Sequence, residues 1–234
     1  MIAKSSTKVL IIVFVLLLFN FSESQENTVE ETTKINTKSA KFLDFYNLRG
    51  TNSFDIGIGS SIINGDFEDP LFEIYFKAGY KRFLSPHLNL GLTYHKFNLA
   101  YDNLFNNGFM SIDFNLEYLV LPHKSITPYI FLGGGYLATN YFEDTTTKVQ
   151  VGTGLEFILY DGFGISVFAD YNYAFDDSLD GLVAGASDDT FFRMGLGLQF
   201  YFGGSKKREK LYGDQKTVIN SNLLSPSNTT KITK

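Results

Sequence analysis

Three histidines, His87, His95 and His123, are the side chains of this chain best suited to proton transfer near neutral pH. Nucleophilic catalysis would need a serine held by such a histidine together with a carboxylate. None of the three stands in a recognisable constellation of that kind. The chain has no cysteine, which excludes thiol chemistry and cysteine-bound zinc. We therefore expect no enzymatic activity and no catalytic residue.

Carboxylates are the second group that could do chemistry, because they bind divalent cations. Acidic residues gather in segments that contain no lysine or arginine. Asp176–Gly181 resembles the opening of an EF-hand loop, but position twelve is Ser187 instead of the required glutamate. We expect solvated outer loops rather than a metal or cofactor site. These acidic loop residues are Asp66, Glu68, Asp69, Glu143, Asp144, Asp176, Asp177, Asp180, Asp188 and Asp189.

The acidic segments separate eight stretches in which apolar and polar residues alternate, as in a β-strand with two different faces. The gaps between them alternate long and short, which is typical of a closed up-and-down membrane barrel. We predict an all-β fold: an eight-stranded antiparallel up-and-down transmembrane β-barrel with disordered termini. The predicted strands are 54–62, 72–83, 88–99, 108–121, 127–139, 148–159, 163–175 and 190–202.

The two faces of these strands differ in composition. One face is apolar and aromatic, and the other carries glycines and charged residues. Interior glycines leave room for larger neighbours in a narrow barrel, so we place the charged face inside and the apolar face against lipid. A soluble lipocalin-type barrel, with its apolar face inside, is the distant alternative. The predicted interior polar network is Asp55, Glu73, Lys77, Lys81, His95, Asp113, Glu117, Lys148, Glu156, Asp170 and Arg193.

Four segments follow from composition. Residues 1–24 read as a signal peptide, since a charged start precedes an apolar run and small residues. Residues 25–52 read as a flexible periplasmic lead-in, 53–202 as the barrel, and 203–234 as a polar basic tail. The net charge of −5 argues against nucleic acid as a partner. We expect an exported protein of a Gram-negative outer membrane, with its signal peptide cleaved.

Strand count, the segment from Pro128 to Tyr136 and the closing segment from Met194 to Phe202 resemble the OmpA-like family of eight-stranded outer-membrane barrels. The resemblance implies that Leu198, Phe200 and Phe202 carry the signal read by the barrel-assembly machinery. Two departures are that this signal is internal and that only 203–234 follows the barrel. Asn47–Thr51 and Asp180–Gly185 resemble, more weakly, barrels associated with curli-type export.

The leading functional hypothesis is a non-enzymatic, porin-like protein of the cell envelope that serves as structural anchor or interaction platform. A small channel, or an accessory of a curli-type export system, is the alternative. Expected partners are outer-membrane lipid and lipopolysaccharide, the barrel-assembly machinery and an envelope or secretion protein. Acidic loops that bridge cations to lipopolysaccharide phosphates remain a hypothesis beside that of solvated loops.

Overall fold

The computed structural model describes residues 37–65, 69–102, 104–142, 144–175 and 189–213. Eight long strands are flanked by helix α1 (Thr37–Leu48) and helix α2 (Ser205–Gly213). A two-residue strand, Pro70–Leu71, pairs with the end of the third long strand. The long strands are β1 (Asn52–Asn64), β2 (Glu73–Phe83), β3 (Leu88–Tyr101), β4 (Phe105–Leu119), β5 (Ile126–Thr139), β6 (Thr145–Tyr160), β7 (Phe163–Ala174) and β8 (Thr190–Phe202).

Each long strand pairs antiparallel with the next, and β8 pairs with β1 along the whole length of both. The sheet therefore closes on itself, which removes the unpaired edges that an open sheet would expose. The predicted eight-stranded antiparallel barrel is confirmed. Its strands hold 11 to 16 residues, which is enough for the roughly 9–11 that a tilted strand needs to cross a bilayer.

The apolar face of the strands is on the outside. Ile58, Ile74 and Leu132 keep 67%, 73% and 62% of their surface exposed, and comparable side chains surround the barrel. A continuous exposed apolar surface is unfavourable in water but matches the hydrocarbon core of a membrane. The lipocalin-type alternative, with the apolar face inside, is therefore wrong.

Glycines on the inner face make room for aromatic rings. A Cβ added at Gly154 would lie 2.5 Å from the Tyr129 ring, and one added at Gly152 would lie 2.3 Å from Phe131. In the narrow lumen of an eight-stranded barrel, such large side chains need small residues on the facing strand.

The two ends of the barrel differ. We call the end with residues 84–87, 120–125 and 161–162 the turn end, and the opposite end the loop end. Helix α1 lies at the turn end, where Phe45 is buried with its ring centroid 5.4 Å from that of Phe83. Helix α2 packs against α1, with the Lys207 ammonium 5.7 Å from the centre of the Tyr46 ring.

Helix α1 corrects the expectation of a flexible lead-in over 25–52, at least from Thr37 onward. The physical reason is burial, because Leu43 and Phe45 are withdrawn from solvent at the barrel end. Helix α2 likewise replaces a disordered start of the tail over 203–234. The predicted signal peptide, residues 1–24, lies outside the described residues. Neither α1 nor α2 has the length and hydrophobicity of a membrane-crossing helix.

Candidate functional site

The lumen is the candidate site, because it gathers buried ionisable side chains from every long strand except β5. Strand alternation aims every second residue inward, so a charge at such a position must find partners inside. Three clusters follow one another from the loop end to the turn end. The first two are held by ion pairs between strands, and the third by an ion pair between β6 and the segment that precedes β1.

The first cluster is centred on Asp113 of β4. Its Oδ2 atom lies 2.7 Å from Lys148 Nζ, 3.2 Å from an Arg193 amino nitrogen and 3.0 Å from His95 Nε2. Arg193 also donates from Nε to Asp170 Oδ1 at 2.8 Å. One carboxylate thus ties together strands on opposite sides of the barrel. This arrangement gives both the guanidinium and the ammonium side-chain acceptors within the protein.

The second cluster lies halfway down the lumen. Lys81 Nζ donates to Glu117 Oε2 at 2.7 Å, and Asn89 Nδ2 donates to Glu117 Oε1 at 2.7 Å. Lys77 Nζ lies 3.0 Å from Asp55 Oδ2 and 3.8 Å from the centre of the Phe168 ring. A cavity of about 30 Å³ opens between these groups, with room for one or two water molecules.

The third cluster, at the turn end, depends on Arg49, which directly follows α1. Arg49 is buried and donates from Nε to Glu156 Oε1 at 2.7 Å. It also donates to the Pro122 carbonyl at 2.7 Å and to Thr127 Oγ1 at 2.9 Å. A guanidinium with this many acceptors fixes the chain between α1 and β1 across the barrel mouth.

Arg49 was missed by the sequence reasoning, and it changes the charge balance of the lumen. The predicted interior set held six acids against four bases, with His95 besides. In the structure, Glu73 is only half-buried near the loop end, and Arg49 joins the interior. Apart from Asp189, which is buried at the loop end, buried acids and bases are then equal in number. The acids are Asp55, Asp113, Glu117, Glu156 and Asp170, and the bases are Arg49, Lys77, Lys81, Lys148 and Arg193.

Aromatic side chains close the loop end of the lumen. The Phe97 ring stacks on Phe191 at 5.1 Å and on Phe109 at 5.9 Å, and all three are buried. The Arg193 guanidinium lies beneath them, 5.5 Å from the centre of the Phe97 ring and 5.7 Å from that of Phe191. With this aromatic layer above and α1 below, the lumen is a packed core.

Within the described residues, none of the three histidines is hydrogen-bonded to a serine. His95 Nδ1 lies 2.7 Å from the Tyr75 hydroxyl and its Nε2 faces Asp113, but all three residues are buried beneath the aromatic layer. His87 Nδ1 lies 2.8 Å from the Leu119 carbonyl. Partial burial and the neighbouring His87 lower the pKa of His123.

The predicted acidic loop residues are only partly described. Asp69 and Asp144 are exposed at the loop end, whereas Asp189 is buried and does not belong to a solvated rim. No group of three metal-ligating side chains occurs within the described ranges. Leu198, Phe200 and Phe202 lie on the outer face of β8. The remaining acidic residues, Asp66, Glu68, Glu143, Asp176, Asp177, Asp180 and Asp188, lie outside the described residues.

No family model and no curated protein sequence matches the chain. Solved structures do. Neisserial surface protein A is 11% identical with a TM-score of 0.53, covering 65% of this chain and 98% of its own. The N-terminal β-barrel domain of Pseudomonas aeruginosa OprF is 14% identical with a TM-score of 0.41, and the match covers 65% of this chain and 99% of that one. The outer membrane enzyme PagL is 13% identical with a TM-score of 0.37, and the match covers 63% of this chain and 99% of that one.

At these identities the comparisons bear on the fold alone. The match to Neisserial surface protein A agrees with the closed antiparallel topology of this chain, whose apolar face points outward. The chain therefore forms an eight-stranded β-barrel of the kind that crosses membranes.

Proposed function

We propose that this chain is a non-enzymatic outer-membrane barrel that anchors a contact surface at its loop end. The closed lumen carries the proposal. Ion pairs fill the interior, the aromatic layer of Phe97, Phe109 and Phe191 covers one end, and α1 covers the other. A barrel sealed in this way offers membrane attachment rather than passage.

The loop end supplies the contact surface. Three large apolar side chains stand exposed at its turns: Leu104 at 66%, Tyr141 at 84% and Phe142 at 63%. Phe142 has a φ of 58°, which is rare for a residue with a large side chain. Its amide donates to the Thr139 carbonyl at 3.0 Å, which holds the turn in that conformation. Exposed aromatic side chains on a fixed turn are suited to binding a partner.

The location follows from the strand number. Eight strands put both ends of the barrel on one side, which is the periplasm in bacterial barrels of this type. On this proposal α1 and α2 face the periplasm and the acidic loops face outward. Membership of the OmpA-like family, assembly through Leu198, Phe200 and Phe202, and contact with lipopolysaccharide are parts of the same proposal.

Conductance measurement tests the proposal against the channel alternative. We expect the full chain, reconstituted into planar bilayers, to give no discrete current steps. A porin that conducts, reconstituted into the same bilayers, is the positive control. Steady single-channel steps from the unmodified protein would contradict the anchor proposal and favour a small channel.

Asn47–Thr51, on which the resemblance to curli-associated barrels partly rests, has a structural explanation here. The segment contains Arg49 and the last two residues of α1, and Gly50 passes so close to Phe202 that an added Cβ would lie 2.2 Å from its carbonyl oxygen. These contacts give the segment a structural role within the barrel. The second segment of that resemblance, Asp180–Gly185, lies outside the described residues.

A further inference from the structure

One sector of the turn end carries cations on the outer side of the barrel. Arg82 is near the end of β2, on the same face as Ile74, Phe76 and Tyr80, and its side chain is exposed. It donates from an amino nitrogen to Asn52 Oδ1 at 3.2 Å. Within the described ranges, Arg82 has no carboxylate partner. Its positive charge is therefore available to a ligand outside the barrel.

Three aromatic rings lie beside Arg82 on the same outer face. Phe54 stacks on Phe202 at 5.2 Å and contacts Tyr80 at 5.5 Å. The Tyr80 hydroxyl donates to Asn52 Oδ1 at 2.7 Å, the same oxygen that accepts from Arg82. The rings therefore form an apolar platform whose polar edge carries a cation. Such pairing of aromatic side chains with polar groups is typical of the membrane–water interface.

Helix α2 adds more positive charge to this sector. It begins at Ser205, three residues after Phe202, and Gly203 and Gly204 adopt φ values of 77° and 94° that turn the chain there. A side chain is disfavoured at those φ values, so the glycines fix where the helix begins. Its cationic residues Lys206, Lys207, Arg208 and Lys210 are exposed, and Glu209 is the one acidic residue among them.

We propose that the sector formed by Arg82, the three rings and α2 binds an anionic phospholipid. The phosphate would pair with Arg82, whose planar guanidinium can hold two phosphate oxygens at once. The acyl chains would lie on Phe54, Tyr80 and Phe202, and α2 would attract the negatively charged membrane surface. The inference rests on the proposed membrane location and names the lipid class that this location leaves open.

A lipid explains the outward position of Arg82 better than a soluble partner does. Peptidoglycan or a periplasmic protein could reach α2, but neither accounts for an aromatic platform that continues the lipid-facing surface. Cations that attract anionic lipids also lose their effect in high salt, because exposed charges are screened. The proposed site therefore combines a salt-sensitive headgroup contact with a salt-insensitive apolar one.

Native mass spectrometry of the full chain tests the site. The protein is released from micelles that contain equal amounts of phosphatidylglycerol and phosphatidylethanolamine. We expect the unmodified protein to retain phosphatidylglycerol at least fivefold more often. Arg82→Gln should remove most of this preference, and Arg82→Lys should keep part of it. Lys124→Gln is the matched control, since Lys124 is exposed at the same end but in the turn between β4 and β5, away from β1, β2 and β8.

The outcomes separate the site from the membrane location. Unchanged lipid preference in Arg82→Gln, or the same loss in Lys124→Gln, would overturn the lipid site. So would binding of isolated peptidoglycan that depends on Arg82 in a protein without lipid preference. In each of these cases the protein would still insert into vesicles. Failure to insert at all would overturn the proposed function itself.

Discussion

Single atoms decide how the lumen packs, and two interior glycines show the difference. A Cβ at Gly154 would lie 2.5 Å from both the Tyr129 ring and the Val167 carbonyl oxygen, and the backbone oxygen cannot move aside. A Cβ at Gly91 would find its nearest neighbour at 3.7 Å, an ordinary contact distance. The same chemical change should therefore have opposite effects at the two positions.

We expect Gly154→Ala to destabilise the barrel by about 1–3 kcal/mol, the usual effect of overpacking. Gly91→Ala should be neutral or stabilise by about 0.5–1 kcal/mol, because alanine loses less conformational freedom on folding than glycine. Urea unfolding of the protein in lipid vesicles measures both. Equal stabilities of the two variants would show that the lumen relaxes around an added methyl group.

At the scale of single residues, the sequence predicted on which face of a strand each charge lies but not which ion pairs it forms. Alternation was enough to place Asp113, Lys148 and Arg193 on the same face, because successive side chains of a strand point to opposite faces. It could not show that they converge on one carboxylate oxygen, since that depends on barrel closure and strand stagger. It also could not distinguish half-buried Glu73 from the buried charges, because position along the strand axis is not encoded in the alternation.

Among the elements, α1 depends most on one residue. Arg49 holds the end of the helix to Glu156 and to the Pro122 carbonyl. We expect Arg49→Gln to release α1, because breaking a buried ion pair commonly costs about 3–5 kcal/mol. Trypsin should then cleave after the exposed Lys41 at least tenfold faster, while the barrel itself remains intact.

Two further variants define that experiment. Glu156→Gln should accelerate cleavage as Arg49→Gln does, since it leaves the guanidinium without its carboxylate. Lys124→Gln should not, because Arg49 is bonded to the Lys124 backbone carbonyl and not to its side chain. Unchanged cleavage in both Arg49→Gln and Glu156→Gln would mean that Leu43 and Phe45 alone hold the helix.

The strands were predictable and the helices were not. All eight strands follow from alternation, and the predicted bounds of β8 agree with the structure at both ends. Helix α1 has Phe42, Leu43, Phe45 and Tyr46 close together, which is the signal that could have revealed it. A helix of 12 residues is marginal in isolation and forms here by packing against the barrel. The largely polar composition of residues 25–52 gave no indication of this packing against the barrel.

In the whole molecule, Asp113 connects strands across the lumen, because its partners lie on β3, β6 and β8. We expect Asp113→Asn to lower the free energy of unfolding by about 3–5 kcal/mol, since Lys148 and Arg193 lose their shared counter-charge in a dry interior. Urea unfolding in vesicles measures this loss. Asp144→Asn, in an exposed turn, should stay within about 0.5 kcal/mol. Equal losses of stability in Asp113→Asn and Asp144→Asn would contradict the role of Asp113 as the shared partner of three strands.

The topology of the whole barrel could be derived from gap lengths, because alternating long and short gaps fit only one arrangement of eight antiparallel neighbours. The closure of the lumen could not be derived from the sequence in this way. It depends on Phe97 and Phe191 meeting from β3 and β8, and on a helix that enters from outside the strand pattern. Such contacts join residues far apart in sequence.

The pairing of Arg49 with Glu156 also has a temporal consequence. The two residues are 107 positions apart in the chain, so the guanidinium has no carboxylate until β6 has joined the sheet. An incomplete barrel would leave α1 undocked and its apolar side chains open to proteases and chaperones. Docking of the helix would then mark a finished barrel, and positions 49 and 156 should change together during evolution.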